Sequence, residues 1–314
     1  MIDKNILITG GAGFIGSNIC YKLYENNNVS VIDNLSTGNI ENIKELVDKN
    51  KITFFKNSIN DYDFLKKVFT NVDYVLHQAA IPSVPRSVAD PISSNEANIT
   101  GTLKVLMAAR DSGVKKLVFA SSSSVYGDTP TLPKKEDMST NPLSPYAITK
   151  LAAEKYCEVF TDLYDLDTVS LRYFNVYGPR QDPKSQYAAV VPKFIKNVQN
   201  NKPPVIYGDG EQTRGFTFVD DVVQANIKSL ESNSCGVYNI SGGYQTTVNE
   251  LAEIISDLYD FNKDFIYDSE RPGDIKHSYA DISNAEKYIN YKPHYDLKEG
   301  LEITKEWYDE RNNK

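Results

Sequence analysis

The chain opens on a stretch that leaves few folds open to it: Asn5-Ile6-Leu7-Ile8-Thr9-Gly10-Gly11-Ala12-Gly13-Phe14-Ile15-Gly16-Ser17-Asn18-Ile19. Three apolar residues run directly into glycines at 10, 13 and 16, and a helical pattern follows through Ile19, Leu23 and Tyr24. This reads as a strand, a tight turn and a helix N-terminus, where unpaired N–H groups and the positive end of the helix dipole suit an anion. Gly10 permits the turn, Gly13 lets a pyrophosphate approach the backbone, and Gly16 lets the helix pack close to the sheet. By itself, a glycine-rich loop without a ligand has the same pattern. The next apolar run, Val29-Ser30-Val31-Ile32, ends in Asp33. That is near the distance expected of a carboxylate that grips ribose hydroxyls. Such a carboxylate repels a 2′-phosphate, so NAD(H) is favoured over NADP(H).

Strand and helix signals alternate from there. Residues 52–55 read as a third strand, 62–69 as a helix, 73–77 as a fourth strand, about 95–112 as a long helix, 116–120 as a fifth strand, 145–164 as a helix and 168–172 as a sixth strand. Units of this length imply an α/β fold: a doubly wound parallel sheet, Rossmann-like, with helices on both faces. Ligands of such sheets bind beyond the C-terminal strand ends. The informative residues lie there: Gly10 to Gly16, Asp33, Gln78-Ala79-Ala80 and Ser121 to Ser124. After Tyr173 the alternation breaks up among Pro, Gly and Tyr, with helical pieces at 190–200, 219–231, 248–259 and 297–312. We expect a dinucleotide-binding domain over 1–174, rejoined by about 216–240. A smaller, mixed α/β substrate lobe is expected over 175–314.

With 314 residues and a net charge of -8, the chain can bury a large core but carries no Lys/Arg block for a nucleic acid. No apolar run reaches the length of a membrane span, and no secretory leader is expected. Cys20, Cys157 and Cys235 are odd in number and far apart, forming neither a metal pattern nor a disulfide set. Two of them fall in predicted helices, where buried free thiols are the expectation, and a reducing cytoplasm fits.

Tyr146 and Lys150 are four apart in a predicted helix, so they share one face. An ammonium beside a phenol favours the phenolate and lowers its pKa, giving a base near neutral pH. Among 21 tyrosines, Tyr-x-x-x-Lys also arises by chance. The run Ser121-Ser122-Ser123-Ser124 offers a hydroxyl to a reacting oxygen, or serves as a polar loop or helix cap.

Taken in order, the glycine turn, His77-Gln78-Ala79-Ala80, the serine run, Tyr146-x-x-x-Lys150 and Arg172-Tyr173-Phe174-Asn175-Val176-Tyr177-Gly178-Pro179 resemble the extended short-chain dehydrogenase/reductase superfamily. More closely they are similar to the UDP-hexose 4-epimerases, over nearly the whole chain. The resemblance implies a tightly held NAD and a UDP-sugar. Tyr146 would take the proton of the sugar 4-hydroxyl while hydride leaves C4 for the nicotinamide. Ser122, or Ser123 beside it, would share that hydrogen bond. Lys150 would hold the nicotinamide ribose and depress the tyrosine pKa. The 4-keto sugar would then turn over and take the hydride back on its other face. Further cofactor contacts are implied at Phe14, Ile15, Asn34, Ile59 and Asn98, and at Gln78, Ala79, Ala80, Ser121 and Tyr173. Ser58 stands where many members carry Asp near the adenine. On the substrate side the resemblance implies Asn175, Val190 and Tyr207 around the nucleotide, with Tyr207 near the uracil. Arg214 and Arg271 would pair with the diphosphate, for which guanidinium is suited. Asp274 would hold a ribose hydroxyl or orient an arginine. Taken alone, the two arginines read equally well as surface charges.

Related dehydratases carry acidic residues beside the serine position, which handle protons at C5 and C6. Ser122-Ser123-Ser124 has no carboxylate, which favours epimerisation. UDP-glucuronate 4-epimerases share a similar run. Ser278 stands where enzymes limited to UDP-glucose and UDP-galactose carry a bulky tyrosine, which leaves space for an N-acetyl group. A register shift of one would put Tyr279 there instead. Residues 77–87 and 180–183 resemble the UDP-N-acetylglucosamine 4-epimerase branch, in which Ser83 would help hold the substrate. UDP-GlcNAc to UDP-GalNAc is therefore the expected conversion. A non-catalytic dinucleotide-binding regulator would be expected to lose Tyr146 or Lys150. Members commonly pair as homodimers through two helices, here about 95–112 and 145–164. Leu103, Leu106 and Met107 lie on that face or in the core.

Overall fold

We describe the protein from a computed structural model, which covers residues 1–182, 189–270 and 276–312. The first half runs β1 (Asn5–Thr9), α1 (Phe14–Leu23), β2 (Asn28–Ile32), α2 (Lys44–Asp48), β3 (Thr53–Phe55), α3 (Tyr62–Val68), β4 (Tyr74–His77), α4 (Val84–Ala89), α5 (Pro91–Asn95), α6 (Gly101–Asp111), β5 (Lys116–Ser122), α7 (Pro145–Tyr164) and β6 (Asp167–Tyr173). The second half runs β7 (Val176–Tyr177), α8 (Val190–Gln199), β8 (Val205–Tyr207), β9 (Thr213–Arg214), β10 (Thr217–Phe218), α9 (Val219–Glu231), β11 (Gly236–Ile240), β12 (Thr246–Thr247), α10 (Val248–Leu258), β13 (Ile266–Asp268), β14 (His277–Ser278), α11 (Ser283–Ile289) and α12 (Leu297–Asn312).

Seven strands form one parallel sheet in the order β11-β6-β5-β4-β1-β2-β3. The order reverses between β1 and β4, and a crevice opens at that switch point. Alternate side chains of β1 divide between the faces. Ile6 and Ile8 pack with Ile19, Val222 and Ile289, and Leu7 packs with Val75, Leu117, Val105 and Phe160. Both faces are apolar because helices cover both. A separate core in the second half gathers Phe194, Ile195, Phe216, Phe218, Leu251 and Leu301.

Two stretches differ from the expectation. The long helix starts at Pro91 rather than near Asn95, because Asp90 caps it, accepting from Ser93 N–H at 3.0 Å, with proline in the first turn. Residues Glu96–Thr100 form a π turn before α6 continues. Residues 84–89, not expected to be helical, form α4, with Ser83 as N-cap and Pro85 in the first turn. Leu106 is fully buried, and Leu103 and Met107 pack against the same core, so these three serve the interior. No helix among the described residues is long and apolar enough to cross a membrane.

Candidate active site

The glycine turn is closed by backbone bonds: Gly10 N–H donates to Ile32 O at 2.8 Å and Gly13 N–H to Gly10 O at 3.1 Å. Gly10 has φ +72°, and a Cβ there would lie 2.6 Å from Ala79 N. A Cβ at Gly16 would lie 2.3 Å from Gly10 O. Gly13 caps α1 without a side chain, and no acidic residue stands in the first turn. The first-turn amides are thus left to an anion, which fits a dinucleotide pyrophosphate. Phe14 and Ile15 begin the helix half-buried. Asp33 is buried, with Oδ2 accepting from Ala12 N–H at 3.0 Å and Oδ1 from Leu35 N–H at 2.8 Å. Burial raises its pKa, and those two amides oppose the rise. Asn34 is exposed, while Ser58 and Ile59 follow β3. Ser58 Oγ accepts from Asn60 N–H at 3.1 Å.

Behind the crevice runs a buried chain of side-chain bonds. Thr102 Oγ1 donates to Asn98 O at 2.7 Å, so it accepts from His77 Nε2–H at 2.9 Å; Nδ1 then accepts from Thr9 Oγ1 at 2.6 Å. The ring is thereby held in one neutral tautomer, and burial pushes its pKa down to about 3. Ala79 N–H donates to Thr9 Oγ1 at 3.3 Å. Asn98, in the π turn, accepts from Ile81 N–H at 2.8 Å and donates to Thr149 Oγ1 at 3.0 Å, and Thr149 donates to Tyr146 O at 2.7 Å. Gln78 donates to Asn226 Oδ1 at 3.0 Å, and Asn226 donates to Tyr173 OH at 2.8 Å. Ala80 follows in the loop toward α4.

Tyr146 stands in the first turn of α7, which Ser144 caps and Pro145 begins. Its backbone N–H donates to the buried Ser87 Oγ at 2.9 Å. Ser122, at the end of β5, is the side chain that acts to lower the pKa of Tyr146. Ser122 Oγ accepts from Ser124 N–H at 3.2 Å and from Ser124 Oγ at 2.9 Å, which leaves its own proton for a further acceptor. Ser123 opens the short 3₁₀ turn that follows. The Lys150 ammonium is buried, donating to Ala120 O at 2.8 Å, and lies 4.9 Å from the Phe119 ring centre and 5.9 Å from that of Tyr146. Burial lowers its pKa to about 7. The tyrosine does not follow the expectation from spacing. Burial raises its pKa, and the bond from Ser122 is what opposes that rise. Helical spacing supplies the neighbour but says nothing about the desolvation both groups suffer. The hydroxyl of Ser121 turns away to Glu154 Oε2 at 2.8 Å.

In the second half, a cavity of about 430 Å³ brings together Asn175, Val190, Tyr207 and Arg214, together with Lys193, Phe194, Asn197, Gln212 and Phe216. Neither Tyr146 nor Ser122 lines it. Sequence reading missed the last five, although the apolar face of α8 is the signal that brings Phe194 here. Asn175 Nδ2 donates to Gly215 O at 3.2 Å. Ser278 pairs in register with Arg214, and Gly215 N–H donates to Ser278 O at 2.7 Å. Ser278 and Tyr279 are both half-buried. Ser83 accepts from Arg86 N–H at 3.2 Å as the cap of α4. Arg271 and Asp274 lie outside the described residues.

A model of the NAD dependent epimerase/dehydratase family matches residues 6–241. The chain is similar to the structure of a UDP-N-acetylglucosamine 4-epimerase from Methanobrevibacter ruminantium M1 in complex with UDP-N-acetylmuramic acid. The identity is 48%, the TM-score 0.96, and the match covers 99% of this chain and 100% of that one. It is similar to a UDP-glucose 4-epimerase from Thermotoga maritima with UDP-glucose, at 38% identity and TM-score 0.93, over 98% and 99% of the chains. It is also similar to a UDP-glucuronic acid 4-epimerase from Bacillus cereus in complex with UDP-glucuronic acid and NAD, at 34% identity and TM-score 0.89, over 98% and 99%.

Proposed function

Because the chain belongs to the NAD dependent epimerase/dehydratase family, we propose that it inverts C4 of a UDP-hexose, interconverting UDP-GlcNAc and UDP-GalNAc and, as a second pair, UDP-glucose and UDP-galactose. The observation that carries this reading is the buried Lys150 ammonium, held by Ala120 O at 2.8 Å and 5.9 Å from the Tyr146 ring centre, with Ser122 acting to lower the pKa of that tyrosine. The carboxylate that the serine run touches, Glu154 beside Ser121, is taken up by Arg172 at 2.6 Å. Elimination of water therefore lacks an acid–base pair, whereas inversion does not need one.

NAD is the cofactor, and the glycine turn, Asp33 and Lys150 are the residues that would hold it. When bound, it supplies an acceptor for the electron pair of the C4–H bond and returns that pair to the same carbon. The chain's own residues handle the proton. Tyr146 receives it from the 4-hydroxyl at its phenol oxygen and later gives it back. Ser122 donates to that oxygen and so favours the phenolate. Lys150, positively charged below about pH 7, stands 5.9 Å from the tyrosine ring centre, where it would hold the nicotinamide ribose. In this reading the cavity takes the nucleotide, with Tyr207 against the base and Asn175 and Arg214 toward the phosphates, joined by Arg271 and Asp274. Ser278 and Ser83 face the sugar. The N-acetyl preference rests on the small side chain at 278 and on the 48% likeness to a UDP-N-acetylglucosamine 4-epimerase.

We further read the dinucleotide domain as 1–174 rejoined by about 216–240, and the protein as a cytoplasmic homodimer. The apolar residues Ile148, Tyr156, Val159 and Leu163 recur along the exposed side of α7, with Ile92 of α5 also exposed. This is a stripe suited to a second copy.

The test is turnover of UDP-GlcNAc, UDP-glucose and UDP-glucuronate by the purified protein, without added reductant, following each C4 epimer. UDP-GalNAc as product is expected. Conversion of UDP-glucose or UDP-glucuronate alone would remove the reading of Ser278 and keep the mechanism. No epimer from any of the three would overturn it.

A further inference from the structure

A buried hydrogen-bonded path leaves the catalytic helix and ends at the wall that carries Ser278. Glu154 stands two turns after Tyr146 on α7 and is wholly buried, and Arg172 of β6 is 3% exposed. Their pairing is bidentate, with Arg172 Nη2 donating to Oε1 at 2.6 Å and Nε to Oε2 at 3.1 Å. Arg172 Nη1 donates to Tyr126 OH at 2.8 Å, and Tyr126 OH donates to Asn239 Oδ1 at 2.7 Å. Asn239 is buried on β11, in register with Arg172. Its Nδ2 donates to two main-chain carbonyls, Lys134 O at 3.0 Å and Asp281 O at 3.2 Å. Its backbone N–H donates to Glu136 Oε1 at 2.8 Å, and Glu136 Oε2 accepts from Asn284 at 2.9 Å. Lys134 is itself joined to the Ser278 segment, with its N–H donating to Tyr279 O at 2.8 Å and its carbonyl accepting from Asp281 N–H at 2.9 Å. The buried Lys134 ammonium then gathers the loop after the serine run, donating to the carbonyls of Thr129 and Thr131.

Every polar atom of the Asn239 side chain is thus committed, and its orientation is dictated by its partners. Only an amide presents one acceptor to Tyr126 and two donors to the carbonyls. Aspartate would set a carboxylate oxygen against carbonyl oxygens, and an aliphatic residue would take a partner from the Tyr126 hydroxyl proton and from both carbonyls, of which Lys134 O keeps the Asp281 N–H. The serine loop and the Ser278 segment are joined as well by the main-chain bonds of Lys134, by Glu136 with Asn284 at 2.9 Å and by the Lys135–Asp281 ion pair at 3.7 Å.

We propose that Asn239 is a specificity-positioning residue: its amide ties the Ser278 wall of the sugar pocket to the loop that follows Ser122, and so sets the room left for the group on the sugar's second carbon. The inference rests on the UDP-hexose reading of the site. Removing the amide loosens that wall, and the fit to an N-acetyl group is lost before anything at the nucleotide end changes.

The experiment is calorimetric titration of the NAD-loaded protein, in a Tyr146→Phe background so that no turnover occurs, with UDP, UDP-glucose and UDP-GlcNAc. Asn239→Ser is expected to lower the preference for UDP-GlcNAc over UDP-glucose by about five-fold while leaving UDP affinity within about two-fold. Tyr126→Phe keeps the ring in the core and removes only the hydroxyl that orients the amide. It is expected to shift the ratio the same way by a smaller factor, and it decides the matter if Asn239→Ser does not fold. An unchanged ratio in the variants, or equal weakening of all three ligands, overturns the inference. If the Tyr146→Phe protein binds neither UDP-hexose more tightly than UDP, the functional reading falls and takes the inference with it. If the wild type converts UDP-GlcNAc and the ratio is still unmoved, only the role of Asn239 falls.

Discussion

The two sides of the crevice are built differently. On the sheet side, Thr9, His77, Thr102, Asn98, Thr149 and Tyr146 form one hydrogen-bonded chain, with Ser122 beside Tyr146. Thr9, His77 and Ser122 sit on strands of four to seven residues within one seven-stranded sheet, and the others on the helices packed against it. On the other side, β7, β9, β10, β12 and β14 have two residues each, in sheets of two or three strands. The first arrangement over-determines the place of each reacting group. The second presents side chains on short pieces that exchange a residue without disturbing the main sheet. Chemistry is held by a network, and recognition by edges.

The strongest way to break this contrast is Tyr146→Phe. Turnover should fall by about a thousand-fold while UDP binding stays near wild type; a variant with near-normal rate would mean the network holds something other than the base. Next comes the buried lysine. Its pKa is about 7 folded against 10.5 for an ordinary lysine, so between those values the unfolded chain holds the extra proton. Stability should therefore rise with pH across that window, by a few kcal/mol relative to Lys150→Met. Parallel pH profiles in denaturant melts of the cofactor-free proteins would show the ammonium is not buried as described. Asp33→Ala should weaken NAD about ten-fold and narrow the margin over NADP, read by fluorescence titration, with unchanged selectivity refuting the ribose role. On the recognition side, Ser278→Tyr should cost N-acetylated substrates about ten-fold in kcat/KM and plain ones little. Equal losses would put Tyr279 at the sugar. Least of all, Leu163→Glu on the exposed face of α7 should change stability by less than about 0.5 kcal/mol and still shift the protein to monomer in sedimentation. A dimer that persists would move the interface elsewhere.

The same contrast explains what could be read in advance. The alternation of apolar runs and helices placed the sheet, and α7 begins at Pro145 and ends at Tyr164 as its Ser144-Pro145 start and apolar period imply. Strands of two residues have no period to read, so the pieces that flank Arg214 and Ser278 were invisible. The helix starts at Ser83 and Asp90 were marked by cap and proline but masked by their shortness. The raised pKa of Tyr146 was beyond reach for another reason: a four-residue spacing identifies a neighbour, while burial depends on what the rest of the chain brings over it. The Glu154–Arg172 pair and Asn239 joined residues far apart along the chain, with no local pattern to announce them.

The π turn at Glu96–Thr100 works as a phase shift. An extra residue in one turn rotates everything after it by roughly 100° about the helix axis. One rod can then aim its early side chains at α7 and its later ones at α3, and still deliver Asn98 to Ile81 and Thr102 to His77. Deleting a single residue there, unlike replacing one, would turn the two ends out of step, and the helix would have to choose which neighbour to abandon.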